Sequence, residues 1–440
     1  MFVKLLRISR YKTSKMIWNY IVLILCLPAF SSGNERTKKV LLISMDGFRW
    51  DYLDMVPDLP NIKKMADKGV KLQYVNNTFI TTTFATHYSI ATGLWEEHHG
   101  IVGNQMYDPV FKEKFSYGPN IEKWWNGGEP IWITATKQKL KTATYFWPGS
   151  EVELQGLRPT FWKPYNKSVP FQERLDTVVN WFQNENVDMA TLYFYEPDST
   201  GHSYGPYSEE VKDKVRYMDG VLGNLMSQLK EAGVLDTLNI ILTSDHGMTA
   251  VNKTTRLIDI SNYVNMSDIV RMPDKGAIMQ IEPVAGREQA VYDGLKNAHP
   301  NMTVYLKNDI PEHFHFKNHR RIMPILAIAS DGWLIDHGPL SWDPHGQHGY
   351  DNRLLDMRPI FLAQGPNFKK NMTAHSINSV DIYPMICELL DIKPAPHNGT
   401  LDIVSNLLNI SVKDINGGNK RETTLITIVV MVVLSSACTF

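Results

Sequence analysis

Cysteine is scarce in this chain: its 440 residues include only Cys26, Cys387 and Cys438. Two of these lie in apolar terminal runs, which leaves Cys387 alone and no internal disulfide framework. A chain of this length can be held by a hydrophobic core instead. Cys387 falls within the apolar helical pattern IYPMICELL and reads as a buried, inert thiol rather than a nucleophile. Net charge is also nearly absent. Lys plus Arg number 45 against 46 Asp plus Glu, a formal charge of -1. No bulk field therefore draws nucleic acid, and no nucleic-acid partner is expected. A repeat of the solenoid kind is missing, as is any low-complexity tract. With 43% hydrophobic and 21% charged side chains, the composition is that of a globular protein.

The ends carry the first positive signals. Lys4, Arg7, Arg10, Lys12 and Lys15 precede the nearly pure apolar run Ile17 to Phe30, and Ser31, Ser32 and Gly33 follow it. That order predicts a secretory signal peptide over residues 1–33. An uncleaved anchor, the competing reading, needs roughly 20 apolar residues. At the other end, Leu425 to Phe440 is apolar and has no basic flank beyond it. Small residues Asn416, Gly417 and Gly418 and the polar spacer Asn419 to Thr424 lie upstream. Residues 411–440 thus read as a membrane attachment segment, a glycolipid-anchor signal or else a short tail-spanning helix. Between the ends, residues 34–410 form one expected domain. Acceptor patterns for N-linked glycans at Asn76, Asn166, Asn252, Asn265, Asn301, Asn371, Asn398 and Asn409 fit an exported, cell-surface protein.

Short continuous apolar runs at Val40 to Met45, Met189 to Tyr195, Asn239 to Ser244, Pro324 to Ala329 and Pro359 to Ala363 have the pattern of strands buried on both faces, which predicts a parallel sheet. Glu209 to Ala232 places apolar residues at helical spacing and is closed by Gly233, and Asn61 to Lys68 reads as a shorter helix ending at Gly69. Strand and helix in alternation give an α/β fold, a doubly wound, mostly parallel sheet with helices on both faces. Such sheets place their chemistry beyond the carboxyl ends of the strands.

Three of these runs deliver carboxylates there. VLLISM leads into Asp46, MATLYFY reaches Asp198 with His202 four residues later, and NIILTS leads into Asp245 and His246; His348 stands in HGQHGYDN. A lone Asp after a strand is usually a cap or turn residue. Three such strand ends with matching histidines point instead to a divalent metal site, and mixed carboxylate and imidazole donors favour Zn²⁺ or another first-row divalent ion over Ca²⁺ or Mg²⁺. Thr81, Thr82 and Thr83 add a hydroxyl cluster that reads either as a β-branched strand end or as a metal-activated nucleophile.

The strings LISMDGFRWDYL, TTTFATHYSIATGLWEEHHGIVGNQMYDP, FWPGSEVELQG, YFYEPDSTGHSYGP, LTSDHGM and HGYDN resemble the nucleotide pyrophosphatase/phosphodiesterase family of the alkaline phosphatase superfamily, in order and over roughly residues 38–400. The short members, with a catalytic domain only, look most similar. The resemblance implies an alkaline phosphatase-like fold, with residues 34–410 as a phosphodiesterase catalytic domain. It implies two zinc ions, one held by Asp46, Asp245, His246 and the nucleophile Thr83, the other by Asp198, His202 and His348. It makes Asn104 the donor to a phosphoryl oxygen, and Phe84 and Trp162 the aromatics that stack on a base. Ala85-Thr86 replaces the family's Pro-Asn inside the nucleophile motif itself. The implied reaction passes through a phosphothreonine and converts ADP, ATP, NAD or dinucleotide polyphosphates to nucleoside 5′-monophosphates. Choline-phosphate esters or lysophospholipids are the alternative substrates, and a non-enzymatic adhesion protein is a third reading.

Overall fold

Residue alternation along the first strand explains the layering. In β1 (Lys39–Met45), Val40 and Leu42 enter one hydrophobic core while Leu41, Ile43 and Met45 enter another on the opposite face. A strand buried on both faces must be apolar throughout, as this one is. The computed structural model describes residues 38–340 and 342–410, so the expected signal peptide at 1–33 and attachment segment at 411–440 lie outside the described residues.

The main sheet also contains β2 (Val70–Asn76), β3 (Thr142–Tyr145), β4 (Phe161–Lys163), β5 (Met189–Phe194) and β6 (Leu238–Thr243). A separate antiparallel sheet is built from β7 (Ile269–Arg271), β8 (Ile278–Pro283), β9 (Met302–Leu306) and β10 (Ile325–Ala329). The chain then returns to the main sheet as β11 (Phe361–Gln364) and β12 (Met372–Asn378). The eight main strands run in the order β12-β2-β11-β6-β1-β5-β3-β4.

Two of the apolar runs depart from the expected parallel sheet. β11 pairs antiparallel with both β2 and β6, and the run at Pro324 to Ala329 forms β10 in the second sheet. Both stay apolar because both faces are covered, and burial of this kind says nothing about strand direction.

Helices α1 (Pro60–Lys68), α3 (Phe171–Gln183) and α5 (Glu209–Glu231) pack on the face that holds Leu41 and Ile43. α2 (Thr83–Thr92) and α6 (Ile382–Leu390) cover the other face; α4 (Asp198–Tyr204) follows β5 at the sheet edge. Helix α5 starts where Ser208 accepts from the Val211 amide and ends ahead of Gly233 at φ 73. Gly69 closes α1, and a Cβ there would lie 2.0 Å from the Ala363 carbonyl oxygen, so only glycine lets the helix end against β11. Cys387 is buried in α6, its thiol pushed up to about 12 by burial. A buried, protonated thiol agrees with the expectation of an inert side chain. Among the described residues no helix is long and apolar enough to cross a membrane.

Six of the eight expected glycan acceptors, Asn166, Asn252, Asn265, Asn371, Asn398 and Asn409, are exposed, and Asn301 is half-buried. Asn76 departs from that expectation. It lies within β2, its amide donates to Ser376 Oγ at 3.3 Å, and the hydroxyl residue of its acceptor pattern, Thr78, is fully buried. Asn76 is thus a half-buried residue at the end of its strand, less accessible than the six exposed acceptors.

Candidate active site

The carboxyl ends of β1, β5 and β6 lie side by side, since β1 pairs in parallel with both neighbours. Asp46, Asp198 and Asp245 are thereby brought to one edge. Gly47 makes this approach possible: it sits at φ 67, and a Cβ on it would come 2.8 Å from the Asp198 Cα. His202 lies one turn after Asp198 on α4 and on the same face. The donor atoms collect into two groups, Asp46 with Asp245 and His246, and Asp198 with His202 and His348, each spanning no more than 4.8 Å.

The chemistry of these donors fits metal binding. Asp46 Oδ1, Asp198 Oδ1 and Asp245 Oδ2 are buried without a hydrogen-bond partner. These same oxygens face imidazole Nε2 atoms, at 3.4 Å for Asp46 and 3.1 Å for Asp245 from His246, and 3.4 Å for Asp198 from His202. Each histidine turns its other nitrogen away. Nδ1 of His202, His246 and His348 meets the carbonyl oxygens of Gly346, Gly247 and Thr81 at 2.8, 2.8 and 2.9 Å. A ring that donates from Nδ1 to a carbonyl keeps the Nε2 lone pair for a cation.

Burial, with Asp245 and Asp198 close by, raises the Asp46 carboxyl well above its ordinary range. Asp245 is equally buried, yet His246 and His87 hold it well below that range. Burial and the neighbouring His246 and His202 keep His348 well below the usual imidazole value, so its ring is neutral.

Thr83 opens α2, and its hydroxyl lies 3.5 Å from His246 Nε2. The next amide, that of Phe84, donates to Asn104 Oδ1 at 2.9 Å. This bond fixes the Asn104 side chain and leaves its NH₂ group for another acceptor. The Phe84 ring stands among Phe115, Tyr117 and Trp125, at centroid distances of 6.0, 6.4 and 6.2 Å. It helps wall a cavity of about 630 Å³ that also reaches Asp46, Thr83, Asn104 and Tyr165.

Trp162 is not part of that cavity. Its strand neighbour Phe161 turns inward to stack near Trp181, and the Trp162 ring faces the Arg158 guanidinium at 4.8 Å. The chain then leaves β4 and carries Tyr165 and Lys167 to the cavity wall. Trp162, expected as the second stacking aromatic, therefore does not line this cavity, whereas Tyr165 does.

Two supporting residues were not singled out from the sequence. Tyr193 donates to Asp46 Oδ2 at 2.6 Å. His87 places Nδ1 2.7 Å from the Thr83 carbonyl oxygen and 3.3 Å from Asp245 Oδ2, with Ser44 Oγ at 2.8 Å from Nε2. The spacing of four from Thr83, which puts His87 on the same face of α2, is the one signal that marks it.

Residues 40–351 match the model of the family described as type I phosphodiesterase / nucleotide pyrophosphatase. The human ectonucleotide pyrophosphatase/phosphodiesterase family member 5 is 42% identical over 402 residues, covering 90% of this chain and 84% of that protein. The human bis(5′-adenosyl)-triphosphatase ENPP4 is 42% identical over 382 residues, covering 86% of this chain and 83% of its own. The solved structure of an inactive threonine-to-alanine form of murine ectonucleotide pyrophosphatase/phosphodiesterase 5 in complex with AMP superposes with a TM-score of 0.82 at 41% identity, covering 84% of this chain and 100% of that one. An alkaline phosphatase-like α/β fold, an edge of carboxylates that each leave one oxygen without a hydrogen bond, and likeness over most of the chain agree: it belongs to the type I phosphodiesterase/nucleotide pyrophosphatase family and is a phosphodiesterase.

Proposed function

We propose that this chain is a cell-surface enzyme that cleaves extracellular ADP, ATP, NAD and dinucleotide polyphosphates to nucleoside 5′-monophosphates through a phosphothreonine at Thr83. The observation that carries the reading is the place of the Thr83 hydroxyl, at the start of α2 and 3.5 Å from His246 Nε2, where the two donor groups meet. Asp46, Asp245, His246 and Thr83 Oγ1 would hold one zinc ion, and Asp198, His202 and His348 the other. Bound there, the two ions would supply charge neutralisation and Lewis acidity.

The chain's own residues do the rest. Thr83 Oγ1 gives up its proton to solvent water and forms the bond to phosphorus as the bond from phosphorus to the leaving oxygen breaks and that oxygen takes the electron pair. Water then hydrolyses the phosphothreonine, which frees the nucleoside monophosphate and returns a proton to Thr83 Oγ1. The amino-terminal end of α2 favours the phosphoryl charge. Asn104 Nδ2, turned outward by the Phe84 bond, donates to a phosphoryl oxygen. Tyr193 and His87 hold Asp46, Asp245 and Thr83 in place.

Lys167 supports nucleotides over choline esters. Its ammonium lies 4.5 Å over the Tyr195 ring and donates to Ser199 Oγ at 3.1 Å. A fixed cation on the aromatic wall suits a nucleotide anion and repels a quaternary ammonium. The names of the relatives, one a bis(5′-adenosyl)-triphosphatase and one solved with AMP, support the same choice. Residues 411–440 would tether the enzyme to the outer face of the membrane.

The test is the full chain and Thr83→Ala from a secretory host, assayed with ADP, ATP, NAD and glycerophosphocholine with and without chelator. AMP from the nucleotides, lost in the variant and with chelator and regained with zinc, is the expected result. Release of choline phosphate alone, or no turnover by zinc-loaded protein, overturns it.

A further inference from the structure

A charged side chain is almost never fully buried unless it is paired with an opposite charge. Arg174, near the start of α3, is fully buried, and among the described residues no carboxylate pairs with it. Carbonyls and ring faces take the place of an anion. Nη1 donates to the Tyr193 carbonyl oxygen at 3.0 Å and Nη2 to that of Val169 at 3.1 Å. The guanidinium carbon lies 4.6 Å from the Phe171 ring centroid, 4.9 Å from that of Phe146, 5.6 Å from that of Tyr195 and 5.8 Å from that of Phe194. Burial lowers the guanidinium from its ordinary value, yet an arginine remains protonated, and ring faces attract a cation.

These contacts converge on the wall of the aromatic cavity. Phe146, Tyr193 and Tyr195 line it, as do Tyr165 and Lys167 in the segment that leads to Val169, whereas Arg174 does not. The guanidinium stands behind the wall and joins three stretches of chain: the end of β5 through Tyr193, residues 165–169 through the Val169 carbonyl, and the residue after β3 through the Phe146 ring. Phe146 requires such support. Its φ is 67, a left-handed conformation that a bulky side chain adopts only where its surroundings hold it there. The Phe146 ring also meets Tyr165 at 5.3 Å, and Tyr165 meets Tyr193 at 6.3 Å, so the rings form one connected wall.

We propose that Arg174 is a positioning residue for the substrate, a buried cation that sets the spacing of Phe146, Tyr165 and Tyr195 from behind and thereby the grip of the cavity on the retained nucleoside. The inference rests on the nucleotide reading above and deepens it by naming what holds the cavity in shape. Arg174 touches no donor atom of the two carboxylate and imidazole groups. Tyr193, whose hydroxyl bonds Asp46, is also held by its strand, in register with Ser44 of β1. Loss of the guanidinium therefore weakens nucleoside binding and spares the chemical step.

Two esters that share the p-nitrophenolate leaving group and the same charge test this, the p-nitrophenyl esters of thymidine 5′-monophosphate and of methyl phosphate. Only the first has a nucleoside to fill the cavity. The readout is the ratio of their kcat/KM values on zinc-loaded full chain. In Arg174→Met, which has a long side chain but neither fork nor charge, the ratio falls about tenfold through KM of the thymidine ester, as weakening of one base stack requires. Its kcat and the kcat/KM of the methyl ester stay within about twofold of wild type. Arg174→Lys keeps a cation beneath the rings but cannot bridge both carbonyls, so its ratio falls about fourfold; this milder variant carries the test if Arg174→Met is not secreted. Calorimetry gives a readout without turnover: adding Arg174→Met to Thr83→Ala weakens AMP binding about tenfold. A ratio within about twofold of wild type in a variant that folds and binds zinc overturns the proposal and leaves the phosphodiesterase reading intact. Equal losses on both esters also overturn it, because they place the effect of Arg174 on the donor groups through Tyr193. A wild-type enzyme that hydrolyses both esters without preferring the thymidine one, or hydrolyses neither, refutes the underlying nucleotide reading and the proposal with it.

Discussion

Asn104 offers the cleanest separation of chemistry from folding. Its Oδ1 accepts the Phe84 amide at 2.9 Å, and that bond leaves Nδ2 for the phosphoryl oxygen it is proposed to meet. Asn104→Ala removes both interactions. Loss of one donor to a developing phosphoryl charge costs about 10²- to 10³-fold in kcat. Stranding the Phe84 amide, which is partly buried, costs about 1–3 kcal/mol of stability. Asn104→Asp divides these effects. A carboxylate still accepts from Phe84 and preserves the fold, yet it presents negative charge where a donor is needed. Steady-state kinetics with a nucleotide substrate, alongside thermal unfolding of the zinc-loaded protein, should show both variants slowed by at least about 10² in kcat. KM should change little, and only Asn104→Ala should melt lower. An Asn104→Asp protein that melts like wild type and turns over within about threefold of it would refute the donor assignment, since an anion cannot replace the lost hydrogen bonds.

Tyr193→Phe deletes the hydroxyl that orients Asp46, and zinc affinity should fall about 10- to 100-fold by competition with a chromophoric chelator, because such supporting bonds act on ligand geometry. Gly47→Ala would force a Cβ to 2.8 Å from the Asp198 Cα at a positive φ; strain of about 1–3 kcal/mol and separation of the two donor groups should lower both melting temperature and activity, measured on one preparation. Asp108, itself buried, binds the half-exposed Arg320 and the buried Arg321 at 2.8 and 2.7 Å. Although burial opposes its charge, the two arginines hold its carboxyl far below the ordinary range. A depressed folded-state value stabilises above the unfolded pKa and loses that contribution as pH falls through the folded value. Asp108→Asn should thus cost about 3–5 kcal/mol at neutral pH, and the gap from wild type should narrow on acidification, read from denaturant unfolding at several pH values.

The sequence made the site's donors legible because each follows a short apolar strand, and a strand buried on both faces announces its own carboxyl end. Asp46, Asp198 and Asp245 needed nothing more. Strand direction was not legible: β11 and β10 carry the same apolar run whether parallel or antiparallel, since burial on two faces erases the alternation that would distinguish environments. Trp162 was misplaced because a ring in an edge strand takes its side from alternation with Phe161, and the loop that swings Tyr165 over the cavity has no periodicity to reveal it. Asn76 carries a complete acceptor pattern, but whether a tripeptide is accessible depends on tertiary neighbours, here β12, which pairs with Asn76 through Asn378. Tyr193 looked like one more apolar strand residue. Only the parallel register Ser44 to Tyr193, one residue short of the strand end, brings its hydroxyl under Asp46.

A charge count explains why so many of these features coincide. Three aspartates converge on one edge with no lysine or arginine among the donor atoms. Three like charges in a site this buried are untenable alone, and Asp46 registers the conflict as an upward displacement of its carboxyl. Two divalent cations would turn a formal −3 into +1, a charge that attracts a phosphate diester. Histidine supplies the remaining donors without adding charge, provided each ring is neutral with its proton on Nδ1. The three backbone carbonyls at Gly346, Gly247 and Thr81 enforce that tautomer. The loops after the strands are therefore constrained twice, once to place an imidazole and once to offer a carbonyl to its far side. This is why glycines border nearly every donor: Gly47, Gly247 and Gly346 each leave room in which a Cβ would strike backbone at 2.8 Å or less. Gly47 lets the end of β1 approach Asp198, Gly247 lets the chain beside His246 sit against the Asp356 carbonyl, and Gly346 brings the His348 loop against Gly201 of α4, so the donors are gathered by backbone contacts that side chains would not allow.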